Sequence, residues 1–551
     1  MCFAPPLYWK PGMRVPKAYV RPMMARKGAP GQALGLSGTT GTKKIAVILI
    51  NFTTGGFGVG ANTTRDGATG LTSPDFLGTD LADIDTYFTK FKEYYTEASY
   101  SQLTLNISFM GSNGVQGTAS GLTGYTADKS MSFYGSNVGS QFEPNSPGLI
   151  REAINKSGVT SAQYDGVMVI HAGYGNESSS GATGGADGDI WSVVATFTVA
   201  NGFTEGALLP AREARVTGGS VTGTLPSTGV YCHEFGHLLG LPDLYDTASG
   251  RTKYVGKWDI MDFGTWNGSP AGGRPSHYSS WSKVQLGWVT PTKITTSSTV
   301  TIQPMSGSTK EGAVYRMDVP GSTKEYFLIE YRRLSGFDDA LPGAGTVIWH
   351  VDDAVGSFAV NDVNASTYAH PRLKVVEADK NDSISNSGTS EAGDAFALST
   401  QLFTSTQSDA YGGSQTGITV SNFTGAGASS MSVLASLILA TTSLDSKKAF
   451  NYPNPVRNSA STTLRLVFSR PITSIDLRIY TVAGELVRSK SLGSSDFSAS
   501  KSKDYEWVYE YVWDLNNHAG AAVAPGVYVY AAEGTADSTK QALVGKLAII
   551  K

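Results

Sequence analysis

The hydrophobic pattern of this 551-residue chain changes period once, just after Trp288, and that change limits the fold more than any other feature. Before it, unbroken apolar runs alternate with helix-period segments. KIAVILINF from Lys44 reads as a buried strand and DLADIDTYFTKFKEYYTEAS as an amphipathic helix. SQLTLNISF then reads as a strand, LIREAINKS as a helix, and YDGVMVIHAG as a second all-apolar strand ended by Gly173. After it, TSSTVTIQPM, YFLIEYRRL, GTVIWHVDD, RLKVVEAD and ITVSNFTG follow one another between turn residues, as in a β-sandwich. From NYPNP onward, about seven alternating strands read as a smaller terminal sandwich.

The expected class is therefore α+β, with a mixed sheet and helices first and two all-β units behind. The expected divisions are a Pro- and Gly-rich leader over 1–43, an α/β-type domain over 44–292, a β-sandwich over 293–444 and an Ig-like sandwich over 445–551. With 43 Lys+Arg against 46 Asp+Glu, the net charge of -3 gives no field for nucleic acid or anionic membrane. No stretch approaches the roughly 18 to 20 apolar residues that span a bilayer, so the reading is a soluble protein without a transmembrane segment. The start MCFAPPLYWK lacks the apolar core of a secretory signal, which leaves either a start other than the precursor's or another export route.

The chemistry concentrates at His233-Glu234-Phe235-Gly236-His237, which uses two of the chain's seven histidines. On a helix, residues four apart share one side, so both imidazoles can grip one metal while Glu234 reaches water on it. Phe235, Leu238 and Leu239 fall on the opposite arc for burial, Gly236 and Gly240 keep the metal side open, and Gly240 ends the helix. That turn brings Asp243 into reach as third ligand and leaves the fourth position of a tetrahedral Zn2+ to water. The resulting chemistry is peptide hydrolysis by metal-activated water, with Glu234 as general base and then acid. An ordinary charged helical stretch is the bland alternative.

YCHEFGHLLGLPDLYD resembles the M6, immune inhibitor A-type branch of the metzincin metalloproteases, in which Asp follows the two histidines. YYTEASYSQLTL, DGVMVIHAGYGNESS and DIW upstream, and VGKWDIMDFGTWNG, PSHYSSWSKVQLGWV, EYFLIEYRR, LPGAGTVIWHVDD, VVEADKND and AGDAF downstream, extend the resemblance over roughly residues 44 to 435. It implies a metzincin-like catalytic domain with zinc on His233, His237 and Asp243, Glu234 as catalytic base, protein or peptide substrates, and Met261 as the structural Met-turn residue. Where family members carry a calcium-like Asp-rich stretch, only Gln163-Tyr164-Asp165-Gly166 stands here. A structural Ca2+ is left without assigned ligands; Glu177, Asp187, Asp189, Asp352 and Asp353 are either oxygen donors or merely solvated.

Cys2, in the leader, is a candidate latency ligand, since some metzincins are held inactive by a pro-segment cysteine at the water site; a bystander is the plainer reading. Cys232 reads as a small buried residue, and His171, His277 and His350 as structural histidines. The segment around Met261 to Trp266 is expected to wall the S1′ pocket, with Tyr278 a candidate further wall. The terminal NYPNP, SIDLRIYTVAGELVRS, VWDLNNHAGAAVAPGVYVYAAEG and KLAIIK resemble FlgD-like or type IX sorting domains of secreted bacterial proteins. That resemblance implies a secreted or surface-attached protein and secretion machinery as a partner. The competing classes are an inactive surface adhesion protein with a protease-like domain, and a glycan binder using Trp349 and Trp513.

Overall fold

The computed structural model describes residues 2–3, 36, 38–52, 78–135, 143–179, 189–217, 220–248, 252–404, 407–437, 449–468, 472–501, 507–536 and 539–550. The rest of the leader, Asp187 and the start of the expected terminal domain lie outside them. By contacts along the chain it divides into two compact units, Met1–Ser414 with Ile418–Leu437, and Gln415–Gly417 with Ile438–Lys551.

A mixed nine-stranded sheet organises the first unit. Its strands include β1 (Cys2–Phe3), β2 (Gly41–Asn51), β3 (Leu103–Gly111), β4 (Gly114–Gln116), β5 (Gly166–Tyr174), β6 (Val193–Ala200) and β7 (Phe203–Thr217), in the order β1-β6-β7-β5-β2-β3-β4. Tyr125–Thr126 pairs with β2, and Ser220–Leu225 with β7. The centre is parallel: Val47 of β2 registers with Phe109 of β3 and Met168 of β5. β6 runs antiparallel to β7 and receives β1 on its outer side, with Cys2 opposite Val194.

The continuous apolar runs sit where both faces of the sheet are covered, as parallel strands require. Helix α1 (Gly78–Ala98) buries Ile84, Phe88, Phe91 and Tyr95 in the core on one face, and α2 (Ser146–Ser157) buries Leu149, Ile150, Ala153 and Ile154 on the other. Gly173 does not end its strand. β5 continues to Tyr174 with a register shift between His171 and Tyr174, and Gly173 takes the positive φ of 99° that this irregularity needs.

The all-β part that follows pairs a five-stranded sheet, with strands including Glu325–Arg332 and Gly345–Asp352, with a three-stranded one. A core of Ile302, Phe327, Ile348, Phe403 and Val433 lies between their strands. The division expected at 292/293 falls inside the first unit, because one apolar cluster runs from Leu36 through Trp288 to Trp349 and Ala395. Arg332, fully buried, ties the two parts with polar bonds: it pairs with Glu330 and Asp338 and donates from Nη1 to the Trp258 carbonyl at 2.8 Å.

The second unit has a four-stranded and a five-stranded sheet around a core that includes Leu464, Phe468, Leu477, Trp513 and Tyr530. Trp513 is a core residue here, as Trp349 is in the first unit, both with no exposed surface. Their burial removes the two platforms on which a glycan-binding reading rested. Among the described residues no helix is long and apolar enough to cross a membrane.

Candidate metal centre

HExxH lies on α3 (Thr228–Leu238), every residue of which is buried. α1 packs along it: Phe91 meets Phe235 edge to face at 5.2 Å, and the Tyr95 hydroxyl donates to the Cys232 carbonyl at 2.7 Å. Small residues on α3 admit the segment that follows it instead. A Cβ at Gly229 would stand 1.9 Å from the Thr265 carbonyl oxygen, and one at Gly236 2.6 Å from Met261 Sδ. Gly236 thus serves to admit the Met261 thioether beside the histidine helix. Cys232 is buried and free, and burial pushes its thiol well up.

Past Leu239 the chain turns at Gly240, whose φ of 97° suits glycine, and the Leu241 N–H donates to the Gly236 carbonyl at 3.0 Å. This turn delivers Asp243. His233 Nε2 and His237 Nε2 lie 3.1 Å apart, and Asp243 Oδ1 is 3.2 and 3.3 Å from them. Three donors on a tetrahedral zinc at its usual bond lengths stand about 3.3 Å apart, so this triangle of two nitrogens and one carboxylate oxygen fits that ion. His233, Glu234 and His237 form a metal-sized cluster as well.

The donors are oriented from behind. His233 Nδ1 donates to the Ile260 carbonyl and His237 Nδ1 to the Leu241 carbonyl, both at 2.8 Å, which leaves each Nε2 lone pair facing the triangle. Thr265 Oγ1 donates to the same Ile260 carbonyl at 2.6 Å and lies 3.2 Å from His233 Nδ1. Burial would raise the Asp243 carboxyl, but the adjoining imidazoles hold it well below the usual carboxylate range.

Met261 is fully buried, with its N–H on Asp259 Oδ1 at 2.7 Å and its carbonyl accepting from Leu244 at 2.9 Å. The Asp259 carboxylate also receives the Ser279 N–H and the Ser282 hydroxyl. Tyr278 does not wall a pocket: it has no exposed surface, and its hydroxyl meets that of Tyr95 at 2.7 Å behind α3. Phe263, Gly264, Thr265 and Trp266 form a 3-10 turn directly after Met261-Asp262.

The other histidines stay out of the triangle. His171 is buried with Nδ1 on the Ala172 carbonyl, His277 contacts Glu97 and Lys283, His350 bonds Glu325, and His370 bonds Asp352. Of the acidic residues weighed for calcium, Glu177 is held by Ser192, Asp189 is buried, Asp352 contacts His370, and Asp353 pairs with Arg372.

One residue at the site carries no sequence signal. Asn361 lies 118 positions beyond Asp243, accepts its N–H at 2.7 Å and donates Nδ2 to its Oδ2. No local pattern marks an asparagine so distant; only the fold brings it here.

Residues 160–289, which hold the whole triangle and Met261, match the sequence profile of the immune inhibitor A peptidase M6 catalytic domain. This stretch is similar to M6-type catalytic domains. Pre-pro-metalloprotease PrtV of Vibrio cholerae serotype O1 is 32% identical over 202 residues, covering 31% of this chain and 21% of that protein. Immune inhibitor A of Bacillus thuringiensis subsp. alesti is 37% identical over 124 residues, 22% of this chain and 18% of that one. The chain therefore spans about a fifth of the length of these relatives. Among solved structures, dimeric latent PorU from Porphyromonas gingivalis aligns at 15% identity over 42% of this chain and 24% of that one, with a TM-score of 0.15, which carries no inference.

Proposed function

We propose that the chain is a secreted zinc-dependent endopeptidase whose metal is held by His233, His237 and Asp243. The triangle of donors 3.1 to 3.3 Å apart is the observation that carries this reading, and the metalloprotease relatives support it. A zinc ion there supplies Lewis-acid polarisation of a peptide carbonyl and of a water molecule. With that ion bound, Glu234, next to the first ligand, would take a proton from water and return it to the leaving nitrogen. Asn361 and the Ile260 and Leu241 carbonyls keep the ligand atoms aimed, and Met261 supports the histidine helix from below.

Substrate binding falls to β6, whose outer side pairs in antiparallel register with Cys2–Phe3, the mode in which a peptide adds to a sheet edge. That pairing supports a role for the leader in latency, with Cys2 as its candidate ligand. The terminal sandwich is assigned to sorting or surface attachment, which makes secretion machinery its partner and the cell exterior its location.

Casein hydrolysis by the purified protein, by its Glu234→Ala variant and by the chelated protein tests the core reading. Activity lost with either change supports it. Chelator-resistant activity, or full activity in Glu234→Ala, rejects it. Inactive wild type that remains inactive after removal of the first 40 or so residues favours the adhesion class. If Cys2→Ala leaves the activity of the intact chain unchanged, Cys2 has no part in latency.

A further inference from the structure

We propose that Glu377, Asp379 and Asp394 form a second metal site, one for a hard divalent cation of the calcium type, built into the loops behind the Met261 turn. One carboxylate oxygen from each of the three residues lies within 4.8 Å of the others. None of the three has a basic side chain at ion-pair distance among the described residues.

Asp394 points to a ligand most directly. It has no exposed surface, and its Oδ2 is occupied, accepting the Trp258 indole N–H at 3.0 Å and the Glu391 N–H at 2.7 Å. Its Oδ1 is buried and accepts no hydrogen bond. A buried carboxylate oxygen without a donor is costly unless a proton or a cation meets it. Glu377 is also buried, and the N–H groups of Ser383 and Ile384 fix its two oxygens at 2.8 and 3.2 Å. Asp379 closes the cluster from the solvent side. Its Oδ2 lies where a Cβ on residue 393 would come within 2.8 Å, so Gly393 is what lets this carboxylate fold in over Asp394.

Burial, followed by the Asp394 charge, pushes Glu377 up to about 7, and burial pushes Asp394 up to about 6, with Asp379 adding repulsion. A divalent cation would offset that repulsion and let all three ionise together. An all-oxygen donor set with one side open to water suits Ca2+, which takes six to eight oxygens, and does not suit zinc.

The place of the cluster gives it a task. Trp258, which donates to Asp394, closes the turn Gly256–Trp258 immediately before Asp259, whose carboxylate holds the Met261 N–H. The Ser390 hydroxyl, in the loop between Glu377 and Asp394, accepts the Lys257 N–H at 2.9 Å. A cation here fastens the 377–394 loop against the segment that carries Met261, and it does so whether or not the first site acts as a peptidase.

The test is thermal unfolding of the full-length protein, stripped with EGTA, freed of chelator by gel filtration and reloaded with zinc, then titrated with CaCl2 alone, beside Asp379→Asn. Asp379 is exposed, so this variant leaves the core intact. Calcium at about a hundred times its dissociation constant is expected to raise the wild-type midpoint by about 3 °C. In Asp379→Asn the shift disappears or needs at least tenfold more calcium, and the metal-free variant unfolds at or above the metal-free wild type because a like charge is gone. Terbium gives a second readout, since Trp258 stands against the cluster as sensitiser; its calcium-competed emission should be lost in Asp379→Asn. No calcium shift in the wild type, or an equal shift and equal terbium emission in both proteins, overturns the proposal.

Discussion

Asn361 clasps Asp243 from both ends, accepting its backbone N–H at 2.7 Å and donating Nδ2 to its Oδ2, so that only Oδ1 faces the two histidines. Asn361 holds a φ of 53°, a left-handed conformation that asparagine tolerates better than most residues. Replacing it with alanine removes the clasp and leaves Asp243 free to turn. Asn361→Ala is expected to weaken zinc binding by about 10- to 100-fold, the usual effect of losing such a partner. Competition with a chromophoric chelator measures this directly, and unchanged affinity would show that the clasp does not position Asp243.

Gly236 gives a packing prediction. A methyl there would meet Met261 Sδ at 2.6 Å and the Tyr278 hydroxyl at 2.8 Å, both in side chains with no exposed surface. Gly236→Ala should cost about 1–3 kcal/mol in a denaturant titration, despite alanine's better helix propensity. In the double variant Gly236→Ala, Met261→Ala the loss should fall short of the sum of the two singles, since truncating Met261 relieves the clash. Additive losses would mean that Met261 is not what Gly236 makes room for.

What could be read in advance follows from how locally each feature is encoded. The parallel strands announced themselves because burial on both faces demands continuous apolar runs, as in β2 and β5. That His233, His237 and Asp243 come together in space is legible because one helical turn and one glycine turn join them. Gly173 misled, since glycine marks a strand irregularity as readily as a strand end. Asn361 and the Arg332 network were invisible because their partners lie far off in sequence. The place of Tyr278 behind α3 is not legible, because position after the Met turn does not say on which side of the helix a ring packs.

Arg332 is the strongest stability prediction. Its guanidinium is fully buried between Glu330 and Asp338, bonded at 2.9 and 2.7 Å, and it also donates to the Trp258 carbonyl. The two acids in turn accept the N–H groups of Ser280 and His277. Arg332→Met leaves two buried carboxylates without their cation and should cost about 3–5 kcal/mol. The triple variant with Glu330→Gln and Asp338→Asn should recover part of that loss in the same denaturation experiment. No recovery would place the cost in packing rather than in charge.

His171 provides a pH-dependent prediction with a defined sign. Its imidazole has no exposed surface, and burial lowers its pKa from the ordinary 6.5 to about 4. Below pH 6.5 the unfolded chain takes up a proton that the folded protein refuses until about pH 4. The unfolded state thus binds more protons in this window, so the contribution is fully present above pH 6.5 and is lost as pH falls toward 4. The loss amounts to about 3 kcal/mol at about 1.4 kcal/mol per pKa unit. Stability curves for the wild type and His171→Gln should converge between pH 6.5 and 4, with the variant showing the shallower acid limb. Parallel limbs would mean that His171 is already protonated in the folded strand, and that the acid limb belongs to other groups.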